Sequence, residues 1–181
     1  MSQLTFYKFQ ATGNDFILID NRKGHFPGDI SLIPKLCDRK FGIGSDGLIL
    51  IQEHESADFE MVFYNPDTTQ SLCGNGSRCA VRFAKDLEMI PDSCTFMAYD
   101  GIHEASIDEH GIVSLKMQNV QNVRSVQDGT LVDTGSPHLI RFVQGIDEVD
   151  VFGRGREIRY SEAFHEKGVN INFVEITGTD Q

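Results

Sequence analysis

The sequence predicts an α+β protein in which short strands dominate and helices are few. Three observations carry that expectation. Apolar residues alternate over short runs, as in Phe59, Met61 and Phe63. One segment, Gly74 to Met89, switches to a helical period, and turn-forming Gly, Asn and Asp punctuate the remainder at short intervals.

Taken in order, Leu4 to Phe9 and Phe16 to Asp20 read as two strands parted by the turn Thr12-Gly13-Asn14-Asp15. Ser31 is placed to cap a short helix carrying Leu32, Leu36 and Cys37, and Leu48 to Ile51 is a short apolar strand. Cys79, Ala80, Phe83, Ala84 and Leu87 recur at three- and four-residue intervals before Pro91, which predicts a helix with one apolar side. Thr95 to Tyr99, Ile102 to Ile107 and Ile112 to Met117 follow as strands. Asp100-Gly101 is expected to be the hairpin turn between the first two, and Glu109-His110-Gly111 joins the next pair. The polar stretch from Gln118 to Gly129 reads as a connection between a first unit, residues 1–118, and a second, residues 119–181. In the second, Leu131-Val132, Leu139 to Val143 and Val169 to Ile176 are expected strands, and Glu157 to Phe164 a short helix. Gly153-Arg154-Gly155 lacks both a preceding strand and the third glycine of a nucleotide fingerprint.

An internal echo links the units. Thr12-Gly13-Asn14 precedes Lys40-Phe41-Gly42, and Thr134-Gly135-Ser136 precedes Glu166-Lys167-Gly168, each pair at similar spacing and followed by an apolar strand. In the first copy Cys73 comes about one further spacing later; the corresponding place in the second falls past Gln181. The second copy therefore reads as unfinished.

Composition narrows the function. Sixteen Lys and Arg stand against 27 Asp and Glu, a formal charge of −11, so binding to a nucleic-acid backbone is not expected. No apolar run approaches the roughly 18 residues of a membrane span. The opening MSQLTFYKF lacks the layout of a secretion signal. A cytoplasmic protein with reduced thiols is expected, because Cys37, Cys73, Cys79 and Cys94 show neither a CxxC pair nor zinc-ligand spacing. No metal and no cofactor is predicted.

The segment richest in chemistry is Phe63-Tyr64-Asn65-Pro66-Asp67 followed by Cys73-Gly74-Asn75-Gly76-Ser77-Arg78-Cys79. Cys73 stands at the entrance to the helix, where unpaired N–H groups and the dipole favour negative charge. It is thus a candidate for a depressed pKa. Gly74 and Gly76 would let a carboxylate approach those N–H groups. The competing reading is inert packing, which is the ordinary fate of a cysteine before a helix. Cys37, Cys79 and Cys94 read as core.

The set ATGNDFILID, RKFGIGSDGLILI, FYNPD, LCGNGSRCAVRFAK, DTGSPH and GVNINFVEI resembles diaminopimelate epimerase, in order and over most of the chain. The resemblance implies two pseudo-symmetric domains, each a sheet wrapped around a central helix, with the substrate between them. It implies cofactor-independent interconversion of LL- and meso-diaminopimelate for lysine and peptidoglycan synthesis. Two cysteines would work from opposite sides of the α-carbon, one removing a proton and the other returning one. Carried onto this sequence, it makes Cys73 the proton-transfer thiol and Gly74 and Asn75 the backbone cradle. Asn14, Asn65 and Asn170 become substrate-binding amides, and His138 a residue that tunes a thiol. Ser136 stands where many members have Asn, and Gly47 where some have Gln, so contact at Gly47 would fall to backbone. The resemblance allows a homodimer.

The family's second cysteine segment does not occur before Gln181, so the chain is expected to be a fragment without epimerase activity. Two rivals stand beside that reading. One is a related isomerase of the same fold, of the phenazine-biosynthesis or proline-racemase type. The other is a catalytically silent assembly fragment with an unreactive Cys73.

Overall fold

A computed structural model describes residues 3–127, 129–166 and 168–178; Lys167 of the second echo lies outside them. The chain divides into two units, Met1–Met117 and Gln118–Gln181.

The first unit is a seven-stranded sheet whose spatial order follows the chain, from β1 to β7. Strands β1 (Tyr7–Ala11) and β2 (Asn14–Asp20) form a hairpin with Ala11 opposite Asn14. The two turn residues, Thr12 and Gly13, have φ values of 54° and 83°, the left-handed pair a type I′ turn requires. The first strand begins at Tyr7 rather than Leu4. Next come helix α1 (Leu32–Cys37), then β3 (Gly47–Gln52) parallel to β2. Ser31 precedes α1 as expected, but its side chain makes no cap bond and its backbone is already helical. β4 (Phe59–Tyr64) runs antiparallel to β3 and leads through α2 (Gly74–Asp86) to β5 (Ser93–Ala98), parallel to β4. β6 (Gly101–Ile107) and β7 (Val113–Leu115) complete the sheet. Ala98 pairs with Gly101, so the hairpin turn is Tyr99-Asp100, and Gly101 (φ 127°) opens the next strand. The turn sits one residue before the expected Asp-Gly.

The handedness of the two crossovers explains where the helices lie. β2→β3 and β4→β5 step in the same direction across the sheet, but the two strand pairs point opposite ways. A right-handed crossover therefore places α1 on one face and α2 on the other. The burial agrees. Phe16, Leu18, Ile49 and Ile51 share a core with α2, whereas Ile17, Ile19, Leu48 and Leu50 pack with Ile33 and Cys37 of α1. β2 and β3 are thus covered on both sides, which is why they read as unbroken apolar runs. β4, only partly buried on its second side, alternates.

α2 occupies the hollow of the sheet, touching β1 and β2 at one end and β6 and β7 at the other. Seven of its residues are buried, Gly76, Ser77, Cys79, Ala80, Val81, Phe83 and Ala84. At 100° per residue they span an arc of roughly 200°. That is wider than a single apolar side, because the sheet curls around the helix.

The second unit is a four-stranded sheet in the order β11-β10-β9-β8. Strand β8 (Val123–Val126) lies inside the stretch expected to be a connection. It is followed by β9 (Gly129–Asp133), β10 (Pro137–Phe142), helix α3 (Val151–Arg159) and β11 (Asn170–Val174), which is parallel to β10. The hairpin, helix and parallel strand repeat the element order of β1-β2-α1-β3. The helix was expected over 157–164 but starts six residues earlier, since Asp150 caps it by accepting from the Gly153 N–H at 2.9 Å. Gly153-Arg154-Gly155 is therefore helical. Leu139 and Val169 are fully buried here.

Among the described residues, no helix is long and apolar enough to cross a membrane.

Candidate active site

The strand register brings the motif residues of the first unit to one end of its sheet. Phe16 pairs with Gly47 and Leu48 with Tyr64, so Asn14 before β2's core, Asp46 before β3 and Asn65 after β4 all sit at that end. α2 begins there too. Cys73 is its N-cap, with extended backbone (φ −129°, ψ 109°), and its sulfur accepts the Gly76 N–H at 3.3 Å. The thiol thus fills the place that Ser or Asp takes in an ordinary cap. Gly74 and Asn75, at the first two helical positions, have no helical acceptor for their N–H groups.

The two cradle glycines differ. A Cβ on Gly74 would meet nothing within 4 Å, so the backbone there faces open space. A Cβ on Gly76 would come within 3.3 Å of Ile49 Cδ1 and 3.4 Å of Cys73 Cβ, so Gly76 is a close-packing residue beneath the sulfur. Cys73 itself is half-buried, unlike the buried Cys37, Cys79 and Cys94; all four are free thiols.

The expected depression of the Cys73 pKa is not found. Burial pushes the thiol up, and this outweighs the N–H groups of Gly76 and Asn75 and the positive charge of Arg78, which all favour thiolate. The helix entrance is present, but the sulfur that fills it has lost too much water. A raised pKa means less thiolate at neutral pH and a stronger base once formed.

One asparagine side chain faces the thiol, and a second holds the first. Asn14 Oδ1 lies 3.8 Å from Cys73 Sγ and accepts from Asn75 Nδ2 at 3.2 Å. Asn14 Nδ2 donates to Asp46 Oδ2 at 2.7 Å, and Asn75 Oδ1 accepts from the Arg78 guanidinium. Arg39 bridges Asp46 (2.7 Å) and Asp15 (2.6 Å), and Lys8 adds a third contact to Asp15 at 2.7 Å. The Arg39 guanidinium, with Lys8 beside it, holds the Asp15 carboxyl far below the usual range. Asp46, Arg78 and Arg39 were not singled out from the sequence. All three nevertheless stand inside the quoted motifs RKFGIGSDGLILI and LCGNGSRCAVRFAK, and their charge was the available signal.

Asn65 spends its Nδ2 within its own loop, on the Thr69 carbonyl (3.2 Å), Thr69 Oγ1 (3.1 Å) and Ser71 Oγ (3.3 Å). Gly47 is buried. A Cβ there would lie 2.4 Å from Phe63 Cε2 and 2.8 Å from the Tyr64 carbonyl oxygen, and the Gly47 carbonyl already accepts from Ser45 Oγ at 2.9 Å. The ring of Phe63 occupies the room a glutamine would need.

The second unit gathers its own polar cluster. His138 Nδ1 lies 2.8 Å from Asn172 Oδ1, so in this arrangement Nδ1 carries the proton and Nε2 accepts from Ser136 Oγ at 3.3 Å. Asn170 Nδ2 reaches Ser136 Oγ at 3.4 Å and the Pro137 carbonyl at 3.3 Å. The parallel register, with His138 beside Asn170, makes these contacts. Asn172 is the member the sequence reading missed.

Known proteins decide the relationship. The family model described as diaminopimelate epimerase matches residues 6–123. The diaminopimelate epimerase of Flavobacterium psychrophilum is 51% identical over 177 residues, covering 97% of this chain and 69% of that protein. The chain belongs to the diaminopimelate epimerase family. The family's protein from Chlorobaculum tepidum is 41% identical, covering 94% of this chain and 69% of its own length.

Solved structures extend the likeness in fold alone. A phenazine biosynthesis protein of the PhzF family from Bacillus anthracis aligns with a TM-score of 0.63 at 15% identity, over 97% of this chain and 67% of that one. A hydroxyproline epimerase from Agrobacterium vitis aligns with 0.56 at 13% identity, over 85% and 56%. The α+β fold with a curled sheet is thus shared with the rival isomerases, whereas sequence identity places the chain with the diaminopimelate epimerases.

Proposed function

We propose that this chain supplies one proton-transfer face of a diaminopimelate epimerase, with Cys73 as the acid/base thiol. The observation that carries this reading is the half-buried sulfur at the open start of α2, ringed by Asn14 and Asn75. Residues 1–118 and 119–181 would then be a first and a second epimerase-type domain. Free thiols suit a cytosolic setting.

The chemistry accounts for the residue types. An amino-acid α-hydrogen is a far weaker acid than a thiol, and a mismatch on the order of ten pKa units is worth roughly 14 kcal/mol. A thiol made more basic by burial narrows that gap. The thiolate of Cys73 takes the α-proton, forming S–H as the C–H bond breaks, and the electron pair spreads into the substrate carboxylate. The N–H groups of Gly74 and Asn75 can hold that carboxylate with fixed dipoles. Asn14 offers amide contact from the first unit. Asn65 offers its carbonyl oxygen, since its nitrogen is engaged. Asn170, Ser136 and His138 are the second unit's own candidates for substrate contact. Inversion needs a second acid on the opposite face.

Two measurements test this. LL-diaminopimelate at millimolar concentration is expected to slow iodoacetamide labelling of Cys73 severalfold, and lysine, which lacks the second carboxylate and so has only one α-amino-acid centre, is not. Equal labelling with and without diaminopimelate would remove the reading. The 181-residue chain in heavy water is further expected to produce no meso isomer, because Cys37, Cys79 and Cys94 are buried and cannot act as the second acid. Conversion at an ordinary enzymatic rate would show the two-thiol assignment to be wrong.

A further inference from the structure

The amides of Asn14 and Asn75 could each face two ways, and their partners remove that freedom. A carboxylate only accepts hydrogen bonds and a guanidinium only donates them. Asp46 therefore takes the Nδ2 of Asn14, and Arg78 takes the Oδ1 of Asn75. The remaining ends meet, Asn75 Nδ2 on Asn14 Oδ1 at 3.2 Å. Thr12 cannot redirect Asn75. Its one hydroxyl proton has the Ala11 carbonyl at 2.7 Å, and Asn75 Oδ1 lies farther off at 3.3 Å. An anion at one end and a cation at the other thus bracket a chain of two amides.

We propose that Asp46 and Arg78 are positioning residues that set the direction of the Asn14–Asn75 amide chain, and so hold the Asn14 carbonyl oxygen, rather than its nitrogen, against the Cys73 sulfur. For its catalytic meaning this rests on the reading above. An oxygen at 3.8 Å accepts an S–H and repels a thiolate. The resting arrangement stores the proton on sulfur. Losing it requires Asn14 Oδ1 to withdraw, or the sulfur to turn further toward the N–H groups of Gly76 and Asn75. Asp46 is fit for the task because it is itself clamped. Arg39 holds its other oxygen at 2.7 Å, and the Asp15 N–H shares Oδ2 at 3.3 Å. The charged and titratable groups around Cys73 are Asp46 ahead of β3, Arg78 on α2 and Cys79 nearly two turns further along it; Arg39, Asp15 and Lys8 stand behind Asp46.

The test is a double-variant cycle read by the pH profile of Cys73 alkylation in the full chain. Asp46→Asn is expected to speed labelling near pH 7.5 by about fivefold, the scale of one net hydrogen bond. In an Asn14→Ala background the same substitution should change the rate by less than about twofold, because the amide through which Asp46 acts is gone. An equal change in both backgrounds would mean that Asp46 works by charge through space, and would overturn the proposal. So would a lowered unfolding midpoint with an unaltered profile. The unsubstituted chain provides a check free of folding effects. The side-chain amide protons of Asn14 should shift in NMR spectra as Cys73 titrates, and a flat response would equally overturn it. Neither readout involves turnover, so loss of diaminopimelate protection would strike the epimerase reading and leave this one standing.

Discussion

Phe83→Ala is expected to cost about 3–5 kcal/mol of stability, the range for removing a buried aromatic ring. Phe83 lies in the last turn of α2, is 1% exposed, and packs its ring against Tyr7 (4.8 Å between centroids) and Phe9 (5.6 Å) of β1. Those contacts tie the first edge of the sheet to the helix inside it. The cavity left behind would loosen the hollow from which the site is built, and the cost is a large share of the 5–15 kcal/mol that holds a typical domain together. Urea unfolding followed by circular dichroism measures it as a fall in midpoint at constant slope. Phe41→Ala is the control. That ring is 92% exposed, and its loss should change stability by no more than about 0.5 kcal/mol. Similar costs at both positions would mean that α2 is not the centre of the core.

The second large effect concerns the four thiols. Iodoacetamide near neutral pH is expected to label Cys73 on the order of a hundredfold faster than Cys94, because reaching a buried thiol requires a local opening of a few kcal/mol. Cys37, Cys79 and Cys94 are 4%, 3% and 7% exposed, and burial pushes Cys79 and Cys94 up to about 11. The Cys73 rate should also go on rising with pH past the point at which a free thiol levels off, since its pKa is raised. Peptide mass mapping over a pH series reads both results. Equal labelling of Cys94, or a Cys73 plateau below that of a free thiol, would contradict the burial described for them. The same burial makes alkali destabilising. At pH values between the unfolded and folded pKa the native state binds the extra protons. The contribution of Cys79 and Cys94 is therefore intact below about pH 9 and lost as pH rises through about 11.

The elements that could be read from the sequence were those whose pattern is local. The alternation of Phe59, Met61 and Phe63, the period of Cys79 to Ala84 and the turn after Ala11 each depend on neighbours a few residues apart; the first two lie where expected, and the turn expected over residues 12–15 closes in two, with Asn14 and Asp15 already paired in β2. The start of α3 was misplaced because Gly153 and Gly155 count against a helix locally, while the Asp150 cap and packing on β11 outweigh them. β8 was missed because its exposed residues carry no apolar alternation, and its pairing with β9 supplies the order.

Cysteine, glycine and asparagine in a specific order were enough to mark the family and to single out Cys73 as the candidate thiol, because the proposed chemistry needs those atoms and few substitutes exist. What the linear order could not decide was the state of that thiol. Its pKa depends on how much water the curled sheet removes from the sulfur. The side-chain acceptor facing its S–H, the carbonyl of Asn14, is chosen by Asp46 and Arg78, which are brought together from positions 32 residues apart. Desolvation and amide direction are properties of three-dimensional surroundings, and only the folded chain supplies them.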